Sequence, residues 1–359
     1  MNTSTAAAQP LPSTPEHITP EWLGSVLGER ISSVRIEPIG TGQTGATYRV
    51  TPTYEVPGSC PATLVAKLPS QEPGVRERVA LGYRAEHAFY TRVADTVAVA
   101  VPEVYHCAIS DDGSEFVLLV ADLTPAVQGD QIRGCGAEDA LLAVEALAGL
   151  HGPRWCDPAW LSFEGIAMPK ADADFARGMG TLARIALEKT LSGLGDRIGA
   201  ADRAVLAAAA DLIEPWLGLD ADRFCLLHGD YRLDNLLFHP AGDAVTVVDW
   251  QTLTVGLPAR DLAYFLATSM TPEARERSEH DLVAAYHRRL REHGVRDFDF
   301  DRCWTDYRVG MLQVPMLITF GYAFTAATGR GDDMMLTMIE RGCHAIRHLE
   351  TISLTTQLV

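Results

Sequence analysis

Residues 228–250 constrain this chain more than any other stretch. An apolar run at 224–227 leads into His228-Gly-Asp-Tyr-Arg-Leu-Asp-Asn235, and Leu236-Leu-Phe238 resumes the apolar pattern. Residues 245–248 then end in Asp249-Trp250. Apolar runs this short, bounded by turn residues, read as buried strands, so the polar residues between them sit in tight turns at strand ends. The fold has to deliver Asp230, Asn235 and Asp249 from such turns. Their setting is helical: 137–149, 175–192, 203–217, 273–293 and much of 304–349 carry helical spacing.

The first third reads differently. Residues 33–39 and 47–56 run apolar or alternate around a Gly-rich turn, and 62–68 and 115–123 are short apolar runs. Between them only 76–94 has helical spacing, with Val79, Tyr83, His87 and Tyr90 on one side. The expected fold is α+β: a flexible tail over 1–16, a small β-rich lobe with one helix over 17–124, and a larger, mostly helical lobe over 125–359. A connector near 123–130 joins the lobes. A length of 359 residues suits two lobes.

Several classes fall away. A net charge of −17 opposes a nucleic-acid or anionic-membrane partner, both of which need a basic surface. Seven scattered cysteines without a CxxC pair suit neither a disulfide framework nor a zinc site, and agree with a reducing cytoplasm. The N-terminal stretch lacks the basic start and apolar core of a secretory signal. Residues 309–329 carry no charge and are long enough to span a bilayer, but Gln313 and Pro315 weaken insertion, so a buried helix or helix pair is expected. No obligate protein partner is evident.

Gly40-Thr-Gly-Gln-Thr-Gly45 is weak evidence alone, since any glycine-rich hairpin turn has that look. A dinucleotide fold needs a helix straight after the glycines and an acid roughly 20 residues on. Here a β-type run follows and Glu55 comes too early. A strand–loop–strand hairpin instead suits a flap over ATP phosphates, with Gly40, Gly42 and Gly45 letting backbone N–H groups approach. Lys67, one of only three lysines, lies within the apolar run Leu64-Val-Ala-Lys-Leu68. It is either a strand-edge lysine with its amine in water or the partner of ATP phosphates and a helix carboxylate. Glu86 is the natural partner; such a pair is worth roughly 4 kcal/mol before desolvation at about 4 Å and an effective dielectric near 20.

Asp230, Asn235 five residues later and Asp249 fourteen beyond that are spaced as a phosphoryl-transfer site is. One acid would orient a substrate hydroxyl, while Asn235 and Asp249 would hold Mg²⁺. Solvated turn acids are the plain alternative, and Asp234 is read as a local cap or ion pair. Asp261 precedes an apolar helical run, so it is expected to cap that helix or to brace the loop opened by His228. His151 reads as a satisfied core histidine.

These residues resemble the aminoglycoside phosphotransferase/choline kinase-like family, relatives of protein kinases that phosphorylate small molecules, with the ecdysteroid-kinase-like branch nearest. The HGDxxxxN stretch at 228–235 and Asp249-Trp250 are the specific marks. Glu86-His-Ala-Phe-Tyr90, Leu118–Leu123, Leu150-His151 and Asp261-Leu-Ala-Tyr264 follow in the family's order. The resemblance implies a bilobal protein-kinase-like fold with ATP in the cleft. Asp230 would be the catalytic base and Asn235 and Asp249 the Mg²⁺ ligands. Lys67 and Glu86 would position the phosphates, the backbone of Ala121–Leu123 would hold adenine, and His228 and Asp261 would support the loop. The chain departs from protein kinases in having Gly229 where they place Arg and in lacking a Gly after Asp249-Trp250. The gap between Asp249 and Asp261 is also too short for an activation segment, which argues against protein substrates.

The implied activity is transfer of the γ-phosphoryl group of ATP to a hydroxyl of a small molecule. An acidic helical lobe would attract a cationic acceptor, whereas the apolar residues of 304–324 would line a pocket for a hydrophobic or acyl-type alcohol. Two other classes compete. A nucleotide-binding pseudokinase scaffold would normally have lost one of Lys67, Asp230, Asn235 and Asp249. A metal-dependent hydrolase built on His151, His228, Asp230 and Asp249 leaves the glycine hairpin and Lys67 unexplained.

Overall fold

Alternation along β3 (Leu64–Pro69) organises the N-terminal half. Leu64, Ala66 and Leu68 are fully buried on one face of an antiparallel sheet, and Val65 and Lys67 point to the other. The computed structural model describes residues 10–39, 45–56, 60–219, 222–324 and 329–359. In it β1 (Ile31–Pro38), β2 (Gly45–Tyr54), β3, β4 (Val104–Ile109) and β5 (Phe116–Ala121) pair in the order β1-β2-β3-β5-β4. On the first face Trp22 and Leu23 of α1 (Pro20–Leu27) pack with Val50, Leu64, Ala66, Leu68, Val117 and Leu119. Thr19 caps α1 by accepting the Trp22 N–H at 3.2 Å. On the second face lies α3 (Ala80–Arg92), whose Tyr83 stacks on Phe116 with ring centroids 5.5 Å apart.

Three expectations change here. The helical run at 76–94 is two helices, α2 (Pro73–Arg78) and α3, broken at Val79. Helix α1 joins them, so the β-rich lobe carries more than one helix. Strand β4 had gone unread because its residues are half-buried and His106 and Cys107 interrupt any apolar alternation.

The connector enters the second half through β6 (Val127–Gln128), which pairs with β8 (Leu236–Phe238); β8 in turn pairs with β9 (Val245–Val247). A second small ladder joins β7 (Cys225–Leu227) to β10 (Thr254–Gly256). Around these strands pack α4 (Ala137–His151), α5 (Ala173–Leu194), α6 (Ala200–Leu217), α7 (Ala259–Ser269), α8 (Pro272–Glu292), α9 (Phe300–Gly310), α10 (Gln313–Phe324), α11 (Gly329–His348) and α12 (Thr351–Leu358). Every residue of α7 is buried, so this helix is the axis of the lobe.

The uncharged stretch from Val309 is divided between the end of α9 and α10. Buried Gln313 at the start of α10 accepts the Arg260 Nε–H at 2.8 Å. Among the described residues no helix is long and apolar enough to cross a membrane. The architecture is the expected α+β arrangement of a small antiparallel sheet and a helical lobe.

Candidate active site

Strand alternation turns Lys67 toward α3, where Glu86 sits one helical turn beyond Tyr83. The Lys67 ammonium lies 2.8 Å from Glu86 Oε2 and 2.9 Å from Asp249 Oδ1. Burial opposes its charge, yet Asp249 and Glu86 together hold its pKa well above the ordinary value. Burial pushes Glu86 upward against the pull of Lys67. Burial acts on Asp249 in the same sense, but there Lys67 wins and the carboxyl stays below its usual range. Gly45 lies directly above: a Cβ there would be 3.2 Å from the Leu68 carbonyl and 3.5 Å from Lys67 Cε. Gly40 and Gly42 lie outside the described residues.

Gly82, Glu86 and Phe89 share one stripe of α3 at i, i+4 and i+7, and all three meet residues 250–251. A Cβ on Gly82 would press on Gln251 at 3.2 Å. Glu86 accepts from Gln251 Nε2 at 3.2 Å and from the Trp250 N–H at 3.4 Å. Phe89 stacks on the Trp250 ring at 3.5 Å between centroids. Asp249 itself is left-handed, with φ 67°, a conformation costing a non-glycine residue on the order of 1 kcal/mol or more. The packing of Trp250 and the bond to Lys67 hold it there.

The loop after β7 carries Asp230. Its Oδ2 accepts from Arg232 Nε at 2.9 Å and Asn235 Nδ2 at 3.2 Å, and its Oδ1 accepts from the Tyr264 hydroxyl at 3.1 Å. Burial, with Asp230 alongside, raises the Tyr264 phenol far above its ordinary pKa, so it remains a donor. Burial works against the Arg232 charge too, but the carboxylates of Asp230 and Asp234 outweigh it. Asn235 spends its amide N–H groups on Asp230, and its side-chain oxygen takes no hydrogen bond among the described residues. The Val248 N–H donates to the Asn235 carbonyl at 3.0 Å, which sets Asn235 beside Asp249. One amide oxygen and one carboxylate oxygen that take no donor among the described residues form a hard-oxygen set, which fits Mg²⁺.

His228 is buried, with Nε2–H donating to the Val248 carbonyl at 3.0 Å and Nδ1 accepting the Asp230 N–H at 3.3 Å. Both ring nitrogens are occupied, so His228 offers no lone pair to a metal, and among the described residues no three His, Cys, Asp or Glu side chains cluster as a metal site. Asp261 does not cap α7, whose N-cap is Pro258. It accepts instead from the His228 N–H at 2.7 Å and the Gly229 N–H at 3.1 Å, the bracing half of the expectation. Gly229 has φ 85°, and a Cβ there would lie 2.1 Å from the Thr252 carbonyl oxygen, which is why no arginine stands at that position. His151 bonds the Tyr286 hydroxyl at 2.8 Å and keeps Nε2 3.6 Å from Asp261.

At the connector, the Ala121 N–H donates to the Glu103 carbonyl and the Leu123 carbonyl accepts the Ala126 N–H, so that backbone is already part-engaged. Sequence reasoning missed Asp122, which ties the connector to β2 through Arg49 at 2.6 Å. It also missed Arg232, Gln251 and Tyr264. Arg232 and Tyr264 stood inside stretches already quoted for the resemblance and Gln251 lay two residues from Asp249, but none had been given a role.

The family model described as "Phosphotransferase enzyme family" matches residues 35–298. This chain belongs to that family of enzymes. Among curated proteins, acyl-CoA dehydrogenase family member 11 of Gallus gallus is 32% identical over 175 residues, 46% of this chain. The match spans a fifth of that relative's length. Among solved structures, a microcompartment-associated aminopropanol kinase is 18% identical, with a TM-score of 0.53 over 89% of this chain and 94% of that one. A variant of an aminoglycoside 2′-phosphotransferase, solved as its GDP complex, is 15% identical, with a TM-score of 0.52 over 90% and 92%. These two likenesses establish the protein-kinase-like fold.

Proposed function

We propose that this chain transfers the γ-phosphoryl group of ATP to a hydroxyl of a small molecule, with residues 17–124 holding the nucleotide and 125–359 the catalytic loop and acceptor. The observation that carries the reading is the Lys67 ammonium shared between Glu86 and Asp249, with Asn235 tied both to Asp230 and, through the Val248 N–H, to the segment of Asp249. Lys67, held by Glu86, binds the phosphates beside Gly45 at the start of β2. Asn235 and Asp249 would hold Mg²⁺, which when bound neutralises the phosphate charge. Asp230 orients the acceptor hydroxyl and takes its proton late, in keeping with a loose transition state in which positioning and charge supply most of the rate. Leu123 and its neighbours face adenine through whatever backbone groups the connector leaves free. ATP as donor fits a cytoplasmic enzyme.

For the acceptor, the surface acids do not argue for a cation. Asp332 and Asp333 are paired with Arg197 at 3.3 and 2.7 Å, and Asp297 and Asp299 line a cleft with Arg223, Arg291, Arg296 and Arg302. Much of the apolar stretch 304–324 is core, including Tyr307, Met311, Val314 and Ile318. The names of the relatives mention aminopropanol, an aminoglycoside and acyl-CoA, so the acceptors to test are amino alcohols, aminoglycosides and acyl-type alcohols. The test is nucleotide consumption over a panel of these three. Acceptor-dependent ADP release that Asp230→Ala abolishes, with ATP binding kept, supports the reading. ATP binding with no turnover on any acceptor would support the pseudokinase scaffold.

A further inference from the structure

The two oxygens of Asp230 are not equivalent. A carboxylate oxygen offers about two lone-pair sites. Among the described residues, Oδ2 has both filled, by Arg232 Nε and Asn235 Nδ2, while Oδ1 has one filled, by the Tyr264 hydroxyl. Arg232 is fixed in turn. Its Nη1 donates to Asp234 Oδ2 at 2.7 Å and lies 3.1 Å from the Met334 sulfur on α11. Asp234 Oδ1 accepts the Gln131 N–H at 3.2 Å, and the Gln131 side chain bonds the Leu233 N–H and the Thr268 carbonyl, both at 2.9 Å. Arg341 of α11 donates to the Gln131 and Thr268 carbonyls at 2.9 and 3.0 Å. A network from α11 and the connector therefore ends on one oxygen of Asp230.

We propose that Arg232 is a positioning residue that closes Oδ2 and reserves Oδ1, beside the Tyr264 hydroxyl, as the seat of the acceptor hydroxyl, with Asp234 and Gln131 locking Arg232 in place. In the transfer the acceptor oxygen forms its bond to the γ-phosphorus as the bond from that phosphorus to the β-bridging oxygen breaks. The acceptor proton passes to Oδ1, ADP leaves, and the proton is then released to solvent. A guanidinium is suited to this work because its planar fork serves two carboxylates at once, which an ammonium cannot do with the same geometry. Without it the carboxylate keeps only the Asn235 and Tyr264 bonds, and Oδ2 gains an open lone-pair site that competes with Oδ1 for the acceptor hydroxyl.

The inference rests on the phosphotransfer reading. Its test is steady-state kinetics of Arg232→Met, Arg232→Lys and Asp234→Asn with a reactive acceptor, each checked for folding by thermal unfolding. Arg232→Met is expected to lower kcat about 100-fold with the KM for Mg·ATP within about twofold, the size of loss seen when one preorganised donor is removed. Added guanidinium ion should restore about tenfold, and Arg232→Lys should fall between. Asp234→Asn should cost about tenfold alone and under about twofold on top of Arg232→Met, because the two act as one unit. A kcat within about threefold of wild type in Arg232→Met, or a loss carried by the nucleotide KM, overturns the proposal. Should Arg232→Met fail to fold, Arg232→Lys and Asp234→Asn decide it by the same kcat criterion. A wild-type enzyme with no turnover on any acceptor overturns the phosphotransfer reading itself, and the role of Arg232 with it.

Discussion

Replacing Glu86 by Gln tests the centre of the site, because the change keeps shape and removes only charge and acceptor capacity. Every group around the Glu86 carboxylate is a donor: Lys67 Nζ at 2.8–2.9 Å, Gln251 Nε2 at 3.2 Å and the Trp250 N–H at 3.4 Å. A carboxamide sets an NH₂ against one of these donors, and only Gln251 can turn its amide to answer. The ion pair contributes about 4 kcal/mol at an effective dielectric near 20, offset by several kcal/mol for burying the carboxylate. Lys67 also keeps Asp249, so a net loss of about 2 kcal/mol in Lys67 placement is expected, about 30-fold in affinity. The freed ammonium then pairs with Asp249 alone and competes with Mg²⁺ for it. Isothermal titration with Mg·ATP, alongside urea unfolding, reads both effects. Affinity within about threefold of wild type, with unchanged unfolding, would refute the claim that Glu86 sets Lys67.

Three further outcomes follow from the same geometry. Asp249→Ala should weaken Mg·ATP binding more than it weakens metal-free ATP binding, and equal affinities by titration would contradict the metal role. Asp261→Ala strips the acceptor from two buried N–H groups, so it should cost about 3 kcal/mol in urea unfolding, and a loss below about 1 would show that the loop is held otherwise. Asp122 is held at about 2, from an ordinary 3.8, by Arg49 and Thr124 acting against burial. Its folded value is depressed, so its stabilisation is complete above about pH 4 and lost as the pH falls toward 2; Asp122→Asn should flatten unfolding midpoints across that window, and an unchanged slope would refute it.

The chain's own pattern settled a good deal. The change from strand-type runs to helical spacing marked two lobes, because side-chain period is a local property. Lys67 was legible because a charge inside an apolar run needs a reason, and Asp230, Asn235 and Asp249 because of their spacing between short apolar runs. Their convergence, with Glu86, was an expectation of the family resemblance that no local pattern encodes. Lys67 and Asp249 stand 182 positions apart, and only the packing of α3 on both the sheet and residues 250–251 brings them to 2.9 Å. Tertiary structure also decided what no period encodes. Asp261 holds the loop instead of capping its helix, since capping depends on where the helix begins and bracing on what lies across from it. Gly229 is a glycine because the Thr252 carbonyl comes from another segment. Nothing local assigned Arg232 a role; its two carboxylates and Met334 of α11 do. Local pattern names which groups have to be satisfied; which partner satisfies each is set by distances between segments far apart in the chain, and only the packed fold fixes those.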